Sequence, residues 1–217
     1  MKIAVLGTGV VGQTIAGKLI QLGHTVKMGS RSATNEKATS WAEQNGEKAS
    51  AGTFAEAAAF GEVIFLATKG DVTLDIIQQA NPENFSGKTV IDISNPLDFS
   101  RGFPPTLTIT NTNSLAEEVQ KAIPEAYVVK TLNTLTAHLM VEPTRLLEET
   151  HVFLSGNHAA GKDQARSLLQ EFGWQNIIDL GDITTARGTE QLLPLWVRLY
   201  AALGTPNFNF KIVRESE

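Results

Sequence analysis

A strand, a glycine-rich turn and a helix at the start of the chain constrain this fold more than any other sequence feature. Lys2–Leu6 is an apolar run of strand length, and Gly7, Gly9 and Gly12 follow it with the spacing G-x-G-x-x-G. Apolar residues at helical spacing then cover 13–21, and a second strand begins shortly afterwards. This order predicts a β-α-β unit that opens a nucleotide-binding sheet.

Each glycine has a distinct task in such a unit. Gly7 permits the tight turn out of the strand, Gly9 lets a pyrophosphate approach the backbone, and Gly12 lets the helix pack close to the strand. The free N–H groups at the helix N-terminus favour phosphate. A purely structural turn is the alternative. The predicted dinucleotide site comprises Gly7, Thr8, Gly9, Val10, Val11 and Gly12.

The end of the second strand indicates which dinucleotide binds. An NAD site usually places Asp or Glu there to hold the ribose 2′-hydroxyl, but this chain reads Gly29, Ser30, Arg31, Ser32 and has no acid. Arg31 offers a planar fork for a 2′-phosphate, Ser30 and Ser32 add hydroxyl donors, and Lys37 lies a turn further on. The pattern predicts NADP, and the alternative is a solvated loop with an ordinary surface arginine.

Composition limits the other functions of the chain. The 217 residues carry a net charge of −5, which argues against nucleic acid or an anionic membrane as the main partner. The absence of cysteine excludes disulfides, thiolate metal sites and a cysteine nucleophile, and no metal site is predicted. The first strand starts at residue 2 and no apolar run reaches the ~20 residues of a membrane span, so we expect a cytoplasmic protein without a signal peptide.

Strand and helix patterns alternate along the whole chain. They predict an α/β fold, a Rossmann-type doubly wound, mostly parallel sheet of about eight strands with a small C-terminal helical extension. We expect an NADP-binding domain over 1–184 and an extension over 185–217 that forms one long helix to residue 203, kinked or broken at Pro194, and a terminal strand over 208–213. Ser114 and Glu117 predict a capping box.

Polar or small residues follow several apolar strands, at the edge where parallel sheets bind ligands. Such residues can line a flat nicotinamide ring and bond its carboxamide, although turn chemistry is the alternative explanation. The irregular stretch 97–113 is long enough to be a functional loop. The predicted residues at this edge are Ala67, Thr68, Lys69, Asn95, Pro96 and Asn133.

No residue is assigned a catalytic role from the sequence, and His138 is a weak candidate for the nicotinamide side. The chain lacks a Tyr-x-x-x-Lys dyad, because Tyr127 and Lys130 have the wrong spacing. Reducing a carbonyl needs a proton donor near the developing alkoxide, whereas hydride transfer to a flavin-like ring mainly needs two rings stacked at reacting distance.

Three charged residues precede the last helix: Asp182, Arg187 and Glu190. They could border an acceptor pocket, but a salt-bridged surface is the expected arrangement.

Four stretches together resemble one family: GTGVVG, GSRS, VVKTLNT and GDITTARGTEQLLPLWVRL. They are similar to the NADP oxidoreductases dependent on coenzyme F-420, a deazaflavin, and the resemblance runs from residue 2 to about 203. The cytoplasmic reductase domain of the membrane metalloreductases is a relative.

This resemblance implies a homodimer of Rossmann domains, each with a small C-terminal extension. NADP would lie across the glycine turn with its 2′-phosphate on Ser30 and Arg31 and with Lys37 nearby. The acceptor ring would stack on the nicotinamide in a cleft roofed by the C-terminal part, and hydride would pass without an obligatory acid or base residue.

Three functions follow from these observations. The first is NADPH-dependent hydride transfer to a small-molecule acceptor, F-420 or a flavin. The second is reduction of a small carbonyl or imine with His138 as proton donor, and the third is a non-catalytic NADP-binding module. A cavity above Asn95 and Asn133 would favour the first, whereas a cleft filled by Trp196 or by the 97–113 loop would favour the module.

Overall fold

The computed structural model describes residues 1–215. The strands are β1 (Lys2–Leu6), β2 (Thr25–Ser30), β3 (Ala49–Thr53), β4 (Val63–Leu66), β5 (Thr89–Asp92), β6 (Leu97–Asp98), β7 (Thr106–Leu107), β8 (Tyr127–Thr131), β9 (His151–Gly156) and β10 (Asn176–Asp179). The α-helices are α1 (Val10–Gln21), α2 (Glu36–Gln44), α3 (Phe54–Phe60), α4 (Thr73–Gln79), α5 (Leu115–Ala122), α6 (Ala137–Val141), α7 (Ala159–Glu171), α8 (Ala186–Gln191) and α9 (Leu193–Leu203). Short 3₁₀ turns cover Gly70–Val72, Pro82–Phe85, Pro143–Arg145 and Ile183–Thr185.

Eight strands form one sheet in the order β10-β9-β8-β5-β4-β1-β2-β3. Strands β3, β2, β1, β4, β5 and β8 are parallel, and the order reverses between β1 and β4. This arrangement confirms the predicted Rossmann-type fold, and its switch point lies directly after the glycine turn.

Helices cover both faces of the sheet, which explains why its strands are nearly continuous apolar runs. Ile3 and Val5 of β1 pack into one buried cluster with residues from α1, α2, α6 and α7. Ala4 and Leu6 point to the opposite face, where residues of α3, α4 and α5 form a second buried cluster. Because successive side chains along a strand point to opposite faces, β1 contributes residues to both buried clusters.

Strand β9 runs antiparallel to β8, with Lys130 opposite Ser155. The connection stays at the edge where β8 ends, because α6 packs there against α1. The chain therefore enters β9 from that edge and runs back. Strand β10 is parallel to β9.

The C-terminal part agrees with one expectation and differs from another. The break expected at Pro194 is confirmed: the helix over 185–203 is two helices, because Pro194 lies in the first turn of α9 and has no N–H to continue α8. The predicted strand over 208–213 is irregular, although the Phe210 carbonyl accepts a hydrogen bond from the His151 N–H. Residues 216 and 217 of the predicted extension lie outside the described part of the chain.

The predicted capping box at α5 forms only in half. The Ser114 hydroxyl accepts a hydrogen bond from the Glu117 N–H at 3.1 Å, but the Ser114 N–H donates to Asn113 and not to Glu117. The Glu117 carboxylate instead accepts from the Ser114 hydroxyl and from Arg187 of α8. An ion pair between helices thus replaces the local reciprocal bond.

Candidate functional site

The glycine turn between β1 and α1 has a separate structural reason at each glycine. Gly7 has a φ of +126°, and a Cβ there would lie 2.3 Å from the Ala67 carbonyl oxygen. A Cβ at Gly12 would lie 2.2 Å from the Gly7 carbonyl oxygen, so the helix could not approach the turn. A Cβ at Gly9 would meet nothing within 4 Å. The backbone at Gly9 therefore faces open space, as a site for a pyrophosphate requires.

The N-terminus of α1 is free to receive an anion. Gly9 is its N-cap, no side chain caps the helix, and its first turn contains no acidic residue. The Gln13 side chain donates to the Thr8 carbonyl at 3.0 Å and holds the turn, while Val10 is 77% exposed. The N–H groups and the positive end of the helix dipole thus point into the open space beside Gly9.

The end of β2 carries the residues predicted to bind a 2′-phosphate. Its Gly29 lies beside the glycine turn, because the Gly7 N–H donates to the Gly29 carbonyl at 3.1 Å. Arg31, Ser32 and Lys37 are exposed, and within residues 1–215 neither of the two cations has an ion-pair partner. Two cations without an ion-pair partner among the described residues therefore follow a strand end that contacts the glycine turn.

Ser30 has a different place from the one predicted. It is buried, and its hydroxyl donates to the Ser32 carbonyl at 2.6 Å. The Ser32 hydroxyl is exposed and is hydrogen-bonded to Thr34 at 2.9 Å. Ser30 consequently shapes the loop, and its hydroxyl hydrogen is not directed to a ligand.

A cavity of about 620 Å³ opens at the switch point of the sheet. Seven of its wall residues were predicted from sequence: Gly9, Val10, Val11, Ala67, Thr68, Lys69 and Asn95. The wall residues that the sequence reasoning did not single out are Gly70, Asp71, Ile93, Leu97, Asp98, Phe99, Ser100, Thr108, Leu135 and Met140. Five of these come from the irregular stretch 97–113, whose length was the one available signal.

The inner wall of the cavity is apolar and its charges lie at the rim. Ile93, Leu135 and Met140 are each less than 7% exposed, whereas Lys69 and Asp71 are exposed. Ile93 follows β5, Leu135 precedes α6, and Met140 lies in α6. Such a wall suits a flat apolar ring better than a highly charged substrate.

The carboxylate of Asp98 accepts hydrogen bonds from a residue of its own loop. It accepts from the N–H of Ser100 at 2.8 Å and from the Ser100 hydroxyl at 3.0 Å. These bonds, the backbone one first, lower the pKa of the Asp98 carboxyl from its usual value. Asp98 therefore stays ionised and is not suited to protonating a substrate.

Three residues predicted at this edge lie outside the cavity wall. Pro96 is buried, and its carbonyl accepts from Thr108 at 2.9 Å. His138 is half-buried in α6 and does not line the cavity. Asn133 is 4% exposed and also lies behind the wall.

Asn133 instead supports Asn95. Its side-chain nitrogen donates to the Asn95 side-chain oxygen at 3.0 Å and to the Thr189 carbonyl at 3.1 Å. The Asn95 side-chain nitrogen in turn donates to the Asn133 carbonyl at 2.8 Å. The two predicted asparagines thus form one pair, of which only Asn95 reaches the cavity.

Glu190 is buried, contrary to the expected salt-bridged surface. One of its carboxylate oxygens lies 2.8 Å from Lys130 Nζ, and the carboxylate also accepts from the N–H groups of Leu115 and Ala116 at 2.7 and 3.0 Å. The positive N-terminal end of α5 therefore faces this charge. Arg187 follows the expectation, since it pairs with Glu117, whereas Asp182 is exposed and caps a 3₁₀ turn without an ion pair among the described residues.

Lys130 is the centre of a charged cluster that sequence spacing did not reveal. Its ammonium lies 2.9 Å from Asp92 and 2.8 Å from Glu190, and it donates to the Ser94 carbonyl at 2.6 Å. Burial alone would lower the pKa of the Lys130 ammonium, but the charges of Asp92 and Glu190 outweigh it and raise that pKa. Lys130 is therefore charged throughout the physiological range.

The described part of the C-terminal extension does not line this cavity. Within residues 1–215, every wall residue belongs to the part of the chain that ends at Met140. Trp196 of α9 stacks on Phe208, with ring centroids 5.3 Å apart. The described part of the extension therefore supplies none of the cavity wall, and a cleft roofed by the C-terminal part stays a prediction.

Among the described residues, no group of three or more His, Cys, Asp or Glu side chains could hold a metal ion. No helix within residues 1–215 combines the length and apolar character needed to cross a membrane.

The glycine turn, the open end of α1 and the cavity at the switch point define a Rossmann-type dinucleotide-binding protein. Residues 2–96 match the sequence model of the family described as NADP oxidoreductase, coenzyme F420-dependent. A crystal structure from Arthrobacter sp. FB24, provisionally assigned as an F420-dependent NADP-reductase, is 51% identical with a TM-score of 0.95 and covers 99% of this chain and 100% of that one. The chain therefore belongs to this family and is an NADP-dependent oxidoreductase.

Two other proteins resemble this chain at lower sequence identity. Metalloreductase STEAP3 of Rattus norvegicus is 28% identical in an alignment of 209 residues that covers 94% of this chain and 39% of the rat protein. The chain thus spans about two fifths of the length of that curated relative. A reductive aminase from Aspergillus terreus in complex with NADPH and ethyl-5-oxohexanoate is 18% identical, covers 94% of this chain and 62% of that one at a TM-score of 0.66, and shares the fold alone.

Proposed function

We propose that this enzyme transfers hydride between NADP(H) and a planar acceptor of the deazaflavin (F-420) or flavin type. The observation that carries the proposal is the cavity at the switch point, which begins at the glycine turn and has an apolar inner wall. Its volume of about 620 Å³ is within the usual range of small-molecule sites, ~300–1,000 Å³. A nicotinamide and one face of a fused ring system suit this space.

The NADP half of the proposed complex follows the glycine turn. The pyrophosphate lies beside Gly9 and at the open end of α1, where N–H groups and the helix dipole stabilise negative charge. The 2′-phosphate lies at the loop after β2, against Arg31 and Lys37. The nicotinamide enters the cavity beside Asn95, whose amide suits the nicotinamide carboxamide.

The acceptor half needs proximity more than acid–base chemistry. Two stacked rings exchange hydride once they are held at reacting distance, so a fixed apolar wall can supply much of the rate enhancement. None of the four histidines of the chain lines the cavity. The carbonyl or imine alternative is weaker because His138, its proton donor, lies outside the wall.

Phe99 is the side chain best suited to contact the acceptor ring. It lines the cavity and is 59% exposed, a large apolar surface left beside a ligand site. Phe103 belongs to the same loop and is 60% exposed, but it does not line the cavity. The two residues therefore form a matched pair for a test of ring stacking.

The first experiment measures NADPH oxidation by absorbance with F-420, FMN, FAD or no acceptor. We expect turnover with a deazaflavin or flavin. Phe99→Ala should raise the acceptor KM about two- to tenfold, the size of one aromatic contact, and leave the Kd of NADPH unchanged. Phe103→Ala should change neither. Equal effects of the two substitutions, or turnover only with carbonyl or imine substrates, would contradict the proposal.

We also propose that the protein is a homodimer and that α9 supplies part of its interface. Leu195, Tyr200 and Leu203 are 50%, 40% and 56% exposed, a concentration of apolar surface on one helix. Light scattering should give twice the 23.4 kDa chain mass. A monomer at micromolar concentration would contradict this part of the proposal.

A further inference from the structure

The charged cluster of Lys130, Asp92 and Glu190 does not line the cavity, yet it is joined to it through backbone groups. Lys130 donates to the carbonyl of Ser94, the residue before Asn95. Glu190 follows Thr189, whose carbonyl accepts from Asn133. Each end of the Asn95–Asn133 pair is therefore held by a backbone group next to the cluster.

The asparagine pair leaves a defined part of Asn95 for a ligand. Both hydrogens of the Asn133 side-chain nitrogen are used, one for Asn95 and one for Thr189. Within residues 1–215, Asn95 uses one amide hydrogen for Asn133 and accepts one bond from it. One amide hydrogen and one lone pair of Asn95, a residue of the cavity wall, consequently have no hydrogen-bond partner among the described residues.

The backbone between the cluster and the pair is strained. Leu132 has a φ of +61°, a left-handed conformation that is uncommon for residues other than glycine. Leu132 lies between Lys130 and Asn133 in sequence and is 2% exposed. Strain of this kind persists where surrounding contacts determine the backbone, and it concentrates at functional sites.

We infer that Lys130 and Glu190 are positioning residues that fix the orientation of the Asn95 amide toward the nicotinamide ring. The inference rests on the proposed function in one respect, which is that the nicotinamide end of NADP(H) occupies the cavity. Lys130 holds the strand end that carries Asn95. Glu190 holds α8, whose Thr189 carbonyl orients Asn133, and Asn133 orients Asn95. Neither charged residue touches the ligand.

A role in anchoring α8 alone makes a different prediction. Arg187 of α8 pairs with Glu117 of α5, so the same two helices are also joined by an ion pair at the surface. Within residues 1–215, Arg187 forms no hydrogen bond with either asparagine, whereas Glu190 joins α8 to the strand ends through Lys130. Substituting Glu190 in one variant and Arg187 in another therefore distinguishes a role in positioning Asn95 from a role in anchoring α8.

The test compares two ligands in Glu190→Gln. NADPH and 2′-phospho-ADP-ribose share the phosphate and adenosine parts, and only NADPH has the nicotinamide. We expect the Kd of NADPH to rise about three- to tenfold, the effect of a misplaced hydrogen bond, and the Kd of the fragment to stay within about twofold. Arg187→Gln should leave the ratio of the two Kd values at the wild-type level.

A double-mutant cycle tests the route through Asn95. In an Asn95→Ala background, Glu190→Gln should cause no further change in the Kd ratio. An equal loss for both ligands, an equal effect of Arg187→Gln, or additive effects in the double mutant would each overturn the inference. Glu190→Asp, which keeps the charge but withdraws it by one methylene, replaces Glu190→Gln if that variant does not fold.

The Kd ratio requires no acceptor. Failure of the wild-type protein to turn over with F-420 or flavins would therefore remove the proposed acceptor and leave this test intact.

Discussion

The glycine turn permits a sharp test because two of its glycines face opposite surroundings. Gly9→Ala adds a methyl group to a backbone with φ −76° and ψ 178°, and no atom of any residue beyond its two chain neighbours lies within 4 Å of it. Gly12→Ala places the same methyl group 2.2 Å from the Gly7 carbonyl oxygen. One methyl group therefore enters the space assigned to the pyrophosphate, and the other enters packed backbone.

The expected magnitudes follow from these distances. At Gly9, the weaker N-cap preference of alanine costs up to ~1 kcal/mol, and the lower entropy of the unfolded chain returns ~0.4–1 kcal/mol. The free energy of unfolding should thus change little. At Gly12, the contact is with backbone that cannot rotate away, so overpacking should cost about 1–3 kcal/mol.

Urea unfolding and NADPH titration by fluorescence measure the two effects separately. Gly9→Ala should keep wild-type stability and weaken NADPH binding at least about tenfold, or ~1.4 kcal/mol. Gly12→Ala should lower the midpoint of unfolding. Wild-type NADPH affinity in Gly9→Ala would refute the assignment of the pyrophosphate to the space beside Gly9.

Three further predictions concern charged residues. Arg31→Ala should weaken NADPH about tenfold or more, the value of a charge-assisted hydrogen bond, and leave NADH affinity unchanged in fluorescence titrations; equal losses would contradict the 2′-phosphate assignment. Lys130→Met should lower the free energy of unfolding in urea by about 3–5 kcal/mol, because two buried carboxylates lose their cation, and a loss below ~1 kcal/mol would contradict the role of the cluster. The hydrogen bond from Arg187 is the main cause that lowers the pKa of the Glu117 carboxyl, so this pair adds stability above the usual glutamate pKa and loses it as the pH falls through the lowered value. Arg187→Gln should therefore be less stable by up to ~1 kcal/mol at neutral pH, and urea unfolding at low pH should show no difference; a difference that persists in acid would contradict this cause.

The nucleotide half of the site was accessible from sequence because it is built from neighbouring residues. The turn from Gly7 to Gly12 and the loop at Arg31 belong to one β-α-β unit, whose handedness and packing are nearly invariant. The spacing of the apolar residues was enough to predict β1 and α1. Length and alternation were then enough to predict the eight-stranded sheet.

The interpretation of Glu190 was wrong because its partners are distant in sequence. A glutamate within a predicted helix beside other charges is usually solvated, and no periodicity indicates that this one accepts from the N–H groups of Leu115 and Ala116 at the start of α5. Lys130 was considered only for its spacing from Tyr127. Its two carboxylate partners lie on β5 and α8, so only the tertiary fold brings the charges together.

Membership of the family does not identify the hydride acceptor, because the family match covers only part of the cavity wall. The family match over residues 2–96 includes the glycine turn, the loop after β2 and Asn95. The part of the wall that we propose faces the acceptor begins at Leu97 and continues through Phe99 to Leu135 and Met140, beyond the matched region. A loop, the residue Leu135 and a short helix supply it, and residues of this kind carry no motif. The comparison of Phe99→Ala with Phe103→Ala therefore probes the part of the site that family membership leaves open, whichever ring system the cavity receives.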